Sequence, residues 1–405
     1  MLIEIIAALI IGVLFGIFTG LFPGIHINLV AAGLLALIGS SFFAGIEPLV
    51  LVTFIVAMAM THTFIDFIPS IFLGAPEEDT FLSVLPGHQL LKEGKGFEAV
   101  VLTLYGGIIA LPIILLFSIV FVYLLPYVFD FVRIYIPYIL IFISLFLIFR
   151  EEEFLISLII FIFAGFLGLL TFNLPVRGPL LPLLSGLFGL SGLVVSVKNK
   201  VKIPEQKFQK LKEIKLEKKS FWKTSFAAAV AAPLCSFLPG IGSGHAAVIG
   251  SEIIGKEGEN NRNFLFLVGA LNTIVMALSF VTAYAIGKTR TGASAAIQEI
   301  LETISFSNLL IILLVVLISA VASFFVGLRL TKVFAKLVSK IDYSKISLIV
   351  IFILILVNLV LSNWIGLIVL ATGAALGIFT ILSGTRRINL MGCLLLPSIV
   401  FYLTL

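Results

Sequence analysis

Apolar runs occupy nearly the whole chain. They fall at about 2–22, 27–46, 48–73, 98–125, 127–149, 153–171 and 178–196, and again at 221–239, 244–254, 262–286, 305–335, 346–363, 365–383 and 388–404. A bilayer span needs roughly 20 apolar residues, and most of these runs reach that length. A soluble domain is about 25% charged; here 12% of the 405 residues are charged and 60% are hydrophobic. Such a chain cannot cover a water-facing surface with polar groups. That excludes a cytosolic enzyme, a nucleic-acid binder and a disordered protein. The chain reads as an all-α polytopic protein of the cell membrane. Its start, Met1-Leu2-Ile3-Glu4, has no basic region, so 2–22 reads as a first membrane helix and not as a cleaved signal.

The net charge of +5 comes from one segment. Between Lys198 and Lys223 stand ten lysines and three glutamates; the rest of the chain holds 16 basic and 18 acidic residues. This segment, 197–220, reads as a linker between a first membrane repeat (1–196) and a second (221–405). Phe208, Leu211, Ile214 and Phe221 lie among its lysines. Two readings stand open: an amphipathic helix on an anionic leaflet, or a solvated tether. Cys235 and Cys393 sit in apolar sequence and read as small core- or lipid-facing residues. Asp130 and Arg133 read as a local pair, and His88 as solvent-facing.

Each half carries about seven apolar segments of similar order. Phe22-Pro23-Gly24-Ile25-His26 matches Leu238-Pro239-Gly240-Ile241-Gly242. Gly74, before Glu77-Glu78-Asp79, matches Gly287, before Arg290-Thr291-Gly292. The offsets are 216 and 213, as an old duplication would leave them. Corresponding loops alternate in basic content. The loop after 305–335 carries Lys336, Lys340 and Lys345, whereas its first-half counterpart has Arg133 beside Asp130. Basic loops favour the cytoplasm. The expectation is therefore two inverted-topology repeats with discontinuous or re-entrant helices, a cytoplasmic linker and external termini.

Polar residues within apolar runs are costly and mark function. One cluster in each half is a Pro-Gly break: Pro23, Gly24, His26 and Asn28, and Pro239, Gly240, Gly242, Ser243, Gly244 and His245. Backbone N–H groups and the positive end of the following helix would suit an anion there. The plainer reading is an interhelical turn with a capping side chain. The other cluster is His62, Asp66, Glu77, Glu78 and Asp79 in half one, against Asn272, Thr273, Lys288, Arg290 and Thr291 in half two. Lys288 and Arg290 suit a substrate carboxylate or phosphate. Asp66, one turn from His62, suits coupling to Na⁺ or H⁺, with Glu77 to Asp79 beside it. The plainer reading is solvation of loop tips. No metal-ligand spacing, Walker motif or nucleophile elbow occurs, so no catalytic residue and no cofactor beyond a coupling ion is expected.

At these residues the chain resembles the large permease subunit of tripartite tricarboxylate transporters, in particular the shorter archaeal members. The resemblance rests on Gly16-x-x-x-Gly20-x-x-Pro23-Gly24, on Ile71 to Gly94 with its Leu91-Lys92-Glu93-Gly94-Lys95-Gly96 ending, on Leu238 to Ser251 and on Gly269 to Gly292. It implies a secondary transporter of small organic anions such as di- and tricarboxylates, driven by a cation gradient. The partners it names are the small anionic substrate, the lipid bilayer, a small membrane subunit and an extracellular binding protein. The chain departs from the family pattern in a single Asn272 where a pair is usual, and in Ala285-Ile286-Gly287-Lys288 where Gly-Ile-Pro-Gly is usual. Citrate-like specificity is therefore not carried over. A polyprenyl-phosphate translocase is the alternative, because such lipid-carrier proteins are similar in their repeated Pro-Gly-Ser-Gly-like breaks. An intramembrane hydrolase using His62 with Asp66, or Glu77 to Asp79, ranks below both, for want of a nucleophile or metal-ligand set.

Overall fold

In lipid, every backbone N–H and C=O must be satisfied within the protein, and a helix does this inside one segment. The computed structural model is helical accordingly. It describes residues 1–22, 30, 45–74, 80–198, 204–238, 242–255, 258, 260–338 and 343–404, and no strand occurs among the described residues. The first half contains α1 (Leu2–Leu21), α2 (Pro48–Ile65), α3 (Phe67–Leu73), α4 (Val84–Lys92), α5 (Gly96–Val132), α6 (Ile136–Phe149), α7 (Phe154–Asn173), α8 (Leu180–Leu184) and α9 (Ser191–Lys198). The second contains α10 (Lys218–Phe237), α11 (Ser243–Ile254), α12 (Asn261–Ile286), α13 (Gly292–Leu301), α14 (Phe306–Val338), α15 (Tyr343–Leu382) and α16 (Gly392–Thr404). Among the described residues, eight helical stretches are long and apolar enough to cross a membrane.

Two boundaries differ from the sequence reading. A break near Pro126 is expected, yet α5 runs through both Pro112 and Pro126 and turns only at Arg133–Tyr135. A proline costs one backbone hydrogen bond, whereas ending a helix in apolar surroundings strands several polar groups. The second difference is the linker. Residues 204–217 hold no helix beyond a turn at 211–213, and they are strapped to the helices beside them. Buried Gln206 accepts the Gly96 N–H at 2.8 Å and donates to the Leu91 carbonyl at 3.1 Å. Lys207 N–H donates to Gly94 O at 2.7 Å, and Tyr105 Oη donates to Leu211 O at 3.0 Å. The Lys336 ammonium lies 6.0 Å from the Phe208 ring centroid. So α5 begins at the linker, whereas α14, which follows the same place in the second half, ends beside it.

The halves share further features. α3 and α12 both end in a left-handed glycine cap, Gly74 (φ 65°, ψ 28°) and Gly287 (φ 63°, ψ 21°). The boundary expected near 363 falls on Asn363, whose φ of 65° interrupts α15. With ψ at −177° this is a strained backbone that glycine usually fills, and the Asn363 Oδ1 accepts the N–H groups of Ile365 and Gly366 to start the next helical stretch.

The core is centred on α12, whose contact with α5 depends on glycine. A Cβ on Gly106 would lie 2.1 Å from Phe266 O, and one on Gly269 would lie 2.1 Å from Thr103 O. Small residues let two backbones approach in this way where lipid gives helices no hydrophobic drive to associate. Asp130 and Arg133 form the expected local pair, exposed and at 3.8 Å.

Candidate functional site

The end of α2 is polar although buried. Thr61, His62, Thr63 and Asp66 are all shielded from solvent, Asp66 to 2% exposure. Asp66 itself is the joint between α2 and α3. Pro69, three residues on, has no N–H, so the Ile65 carbonyl lacks the donor that a continuous helix would supply. Asp66 N–H donates to His62 O at 3.0 Å, and Ser70 Oγ donates to Asp66 O at 2.8 Å.

Three other helices bring polar groups to this joint. From α1, Thr19 Oγ1 lies 3.0 Å from His62 Nδ1. Gly16 permits this closeness, since a Cβ there would sit 2.5 Å from the Thr61 Cβ. From α14, Ser323 Oγ donates to Thr61 Oγ1 at 2.9 Å. From α12, the Asn272 amide donates to both Thr63 O and Asp66 Oδ2 at 3.4 Å. A buried carboxylate demands such partners, or it takes a proton or a cation instead. Carboxylate, carbonyl, amide and hydroxyl oxygens are the ligand types that hard cations take.

A second buried polar group forms around the start of α11. Gly242 is its N-cap, and Ser243, Gly244 and His245 form its first turn, all three buried. His245 Nδ1 accepts the Gly242 N–H at 3.3 Å. A neutral imidazole so engaged carries its proton on Nε2. That atom is buried and makes no hydrogen bond among the described residues. Half-buried Arg290 places its charge within electrostatic reach of His245 and Cys235 and of Tyr402 on α16. A helix N-terminus, an imidazole N–H and a guanidinium are each chemically suited to an anion.

The remaining predicted residues fall as follows. Thr273 is buried and back-bonds to Gly269 O at 3.0 Å. Thr291 caps α13, accepting the Ser294 N–H at 3.1 Å, and its hydroxyl meets Ser279 Oγ at 3.1 Å. Lys288 is exposed on the loop after Gly287. Pro23, Gly24, His26, Asn28, Glu77, Glu78, Asp79, Pro239 and Gly240 lie outside the described residues.

Sequence reasoning missed Thr19, Ser323 and Arg387. Ser319 and Ser323, one turn apart in an apolar run, were the available signal for Ser323. The Arg387 side chain donates to Leu187 O at 3.2 Å, to Phe188 O and to Ser191 Oγ at 3.1 Å. Those carbonyls belong to a π-helical stretch, 185–190, which shifts them out of the α-helical register. His88, read as solvent-facing, is half-buried near this arginine, and its pKa is lowered to about 4 by burial and by the charges of Lys92 and Arg387.

The tripartite tricarboxylate transporter TctA family matches residues 6–392. An uncharacterized protein of Methanocaldococcus jannaschii is 31% identical over 410 residues, covering 98% of this chain and 98% of that protein. No solved structure matches.

Proposed function

This chain belongs to the tripartite tricarboxylate transporter TctA family, and we propose that it is a secondary active permease that moves a small organic anion, of the di- or tricarboxylate class, with a coupling cation. The observation that carries this reading is the buried His245 Nε2–H at the start of α11, with no acceptor among the described residues while Arg290 lies within electrostatic reach. A carboxylate would take that N–H and the guanidinium together. The joint at Asp66 would take Na⁺ or H⁺.

α12 joins the two places. Asn272 touches Asp66, and Thr282 donates to Ser236 O, at 3.3 Å, near the end of the helix that precedes α11. The two positions stand roughly 15 Å apart along the helix axis. A motion that shifts α12 against α2 or α10 would therefore be felt at both, as alternating access between coupled sites requires. Two inverted repeats would supply that motion. Their support is the opposed sense of α5 and α14 relative to the linker, together with the shared caps at Gly74 and Gly287. On this reading the linker is cytoplasmic, both termini are external, and a small membrane subunit and an extracellular binding protein complete the system.

Uptake by proteoliposomes tests the reading. Labelled di- and tricarboxylates should accumulate under an imposed Na⁺ or pH gradient and not without one. Transfer of a polyprenyl phosphate with no carboxylate uptake would replace this reading with lipid-carrier translocation.

A further inference from the structure

The linker meets the second repeat at a cleft of about 470 Å³ lined by Lys215, Glu217, Lys219, Ser220, Arg262 and Asn263. Among the described lining residues, three cations stand against one exposed carboxylate, that of Glu217. Arg262 is fixed in place: its Nε lies 2.7 Å from the buried Glu98 carboxylate of α5, and its Nη2 donates to Lys215 O at 3.4 Å. Lys215 and Lys219 are exposed, whereas Ser220 and Asn263 form a buried polar floor. α10 and α12 both begin at this cleft, with N-caps Glu217 and Asn260, so the positive ends of two long helices reinforce the lysines.

The depth of the cleft follows from α10. Trp222, Phe226, Val230 and Leu234 are all exposed, Trp222 at 72% and Phe226 at 63%, and they recur every fourth residue as an apolar stripe suited to lipid. The stripe opens on a tryptophan beside Lys219 and Lys223. Tryptophan and lysine mark the level where a bilayer meets water. Lys219 and Ser220, in the same first turn, therefore stand at headgroup depth.

We propose that this cleft binds an anionic phosphate group, supplied by the headgroup of a membrane phospholipid with net negative charge or by free phosphate. A phosphate offers several acceptor oxygens and at least one full negative charge, which fits two flexible ammonium donors above a hydroxyl and amide floor. Once bound, it ties the linker strand to the first turns of α10 and α12, and through Arg262 to Glu98 of α5. The occupied site thus braces the joint between the repeats. It is separate from the anion site at His245 and does not depend on what the protein transports.

The test compares thermal unfolding of the full-length protein in nanodiscs of zwitterionic lipid, nanodiscs containing phosphatidylglycerol, and detergent titrated with inorganic phosphate. The Lys215→Gln/Lys219→Gln pair is set against the charge-matched Lys207→Gln/Lys210→Gln pair, whose residues do not line the cleft. We expect phosphatidylglycerol or phosphate to raise the wild-type melting temperature. The cleft pair should weaken the response by about tenfold in ligand concentration or more, and the control pair should keep it. A response to phosphatidylglycerol alone identifies the lipid source; a response to inorganic phosphate as well identifies free phosphate. Equal losses in both pairs, an unchanged response in the cleft pair, or no wild-type response to either ligand overturns the proposal.

Discussion

The side-chain amide of Asn272 donates to the Asp66 carboxyl group at 3.4 Å across 206 positions of sequence, joining the two halves of the chain at a buried acid. The same amide reaches the Thr63 carbonyl at 3.4 Å, so one side chain satisfies both the acid and the backbone at the joint between α2 and α3. Removing it strands a buried acceptor, at about 1–3 kcal/mol and more where the acceptor is charged. Asn272→Ala should lower the melting temperature of the purified protein by several degrees, and Asp66→Ala/Asn272→Ala should lower it by less than the two single effects added. Additive losses in that double-mutant cycle would mean that the contact carries no coupling.

Asp66→Asn alone keeps an acceptor for the amide and removes the charge. Substrate exchange across the membrane at equal concentrations should survive, whereas accumulation driven by a Na⁺ or pH gradient should be lost. Full gradient-driven uptake by this variant would place coupling elsewhere, with His62 next in line.

At the other site, Arg290→Gln should raise the KM for the transported anion about tenfold or more, because a neutral amide replaces the charge-assisted partner of a desolvated carboxylate. His245→Phe removes the Nε2 donor and should weaken binding in the same direction. Direct binding of labelled substrate to detergent-solubilised protein separates this from a folding defect, checked by gel filtration. Unchanged affinity in both variants would remove the start of α11 from the substrate path.

The sequence made some of this plain and hid the rest, for physical reasons. Segment positions were legible because hydropathy marks spans directly, and Gly74 and Gly287 were legible because a helix that stops at glycine leaves a local signature. Asp66 stood out because a carboxylate amid apolar residues is costly to bury. Its neighbours did not. Thr19 and Ser323 belong to α1 and α14, and only tertiary packing brings them to α2. Small hydroxyls that back-bond within their own helices are cheap in lipid and leave no periodic mark. Nor did spacing mark the end of α5: Pro126 carried a strong local signal to stop, which the cost of exposed backbone in apolar surroundings overrode. How the linker is held was hidden because its lysines obscured Gln206, the residue that pins it to Gly96 and Leu91.

His88 sets a pH dependence. An unfolded imidazole protonates near pH 6.5, whereas the folded one, half-buried and facing the charges of Lys92 and Arg387, resists until about pH 4. Between those values the unfolded state binds more protons, so acid favours unfolding and stability rises with pH. Unfolding followed in detergent should show this residue's contribution growing from about pH 4 to 6.5 and flat above, with a total of a few kcal/mol at most. His88→Gln should flatten that portion of the curve. A His88→Gln profile parallel to wild type would show that the imidazole titrates freely.

The final prediction concerns orientation. Gln206 ties the linker to the first residue of α5, and Phe208 of the same strap lies under Lys336 near the end of α14. Tyr127 stands 31 residues after Gly96, and Ser305 precedes Lys336 by the same number, so at 1.5 Å per residue each lies roughly 45 Å from the linker end of its helix. That distance exceeds the thickness of a bilayer's hydrocarbon core. Single cysteines at Lys210 and Lys336 should therefore label from one side of sealed vesicles, and cysteines at Tyr127 and Ser305 from the other. The Lys-rich pair should face the cytoplasm, as basic loops do. If Lys336 and Tyr127 label from the same side, α5 and α14 do not cross the membrane in opposite senses and the inverted arrangement fails. If all four sites partition as stated but with the sides exchanged, the repeats stand and only the cytoplasmic placement of the linker is wrong.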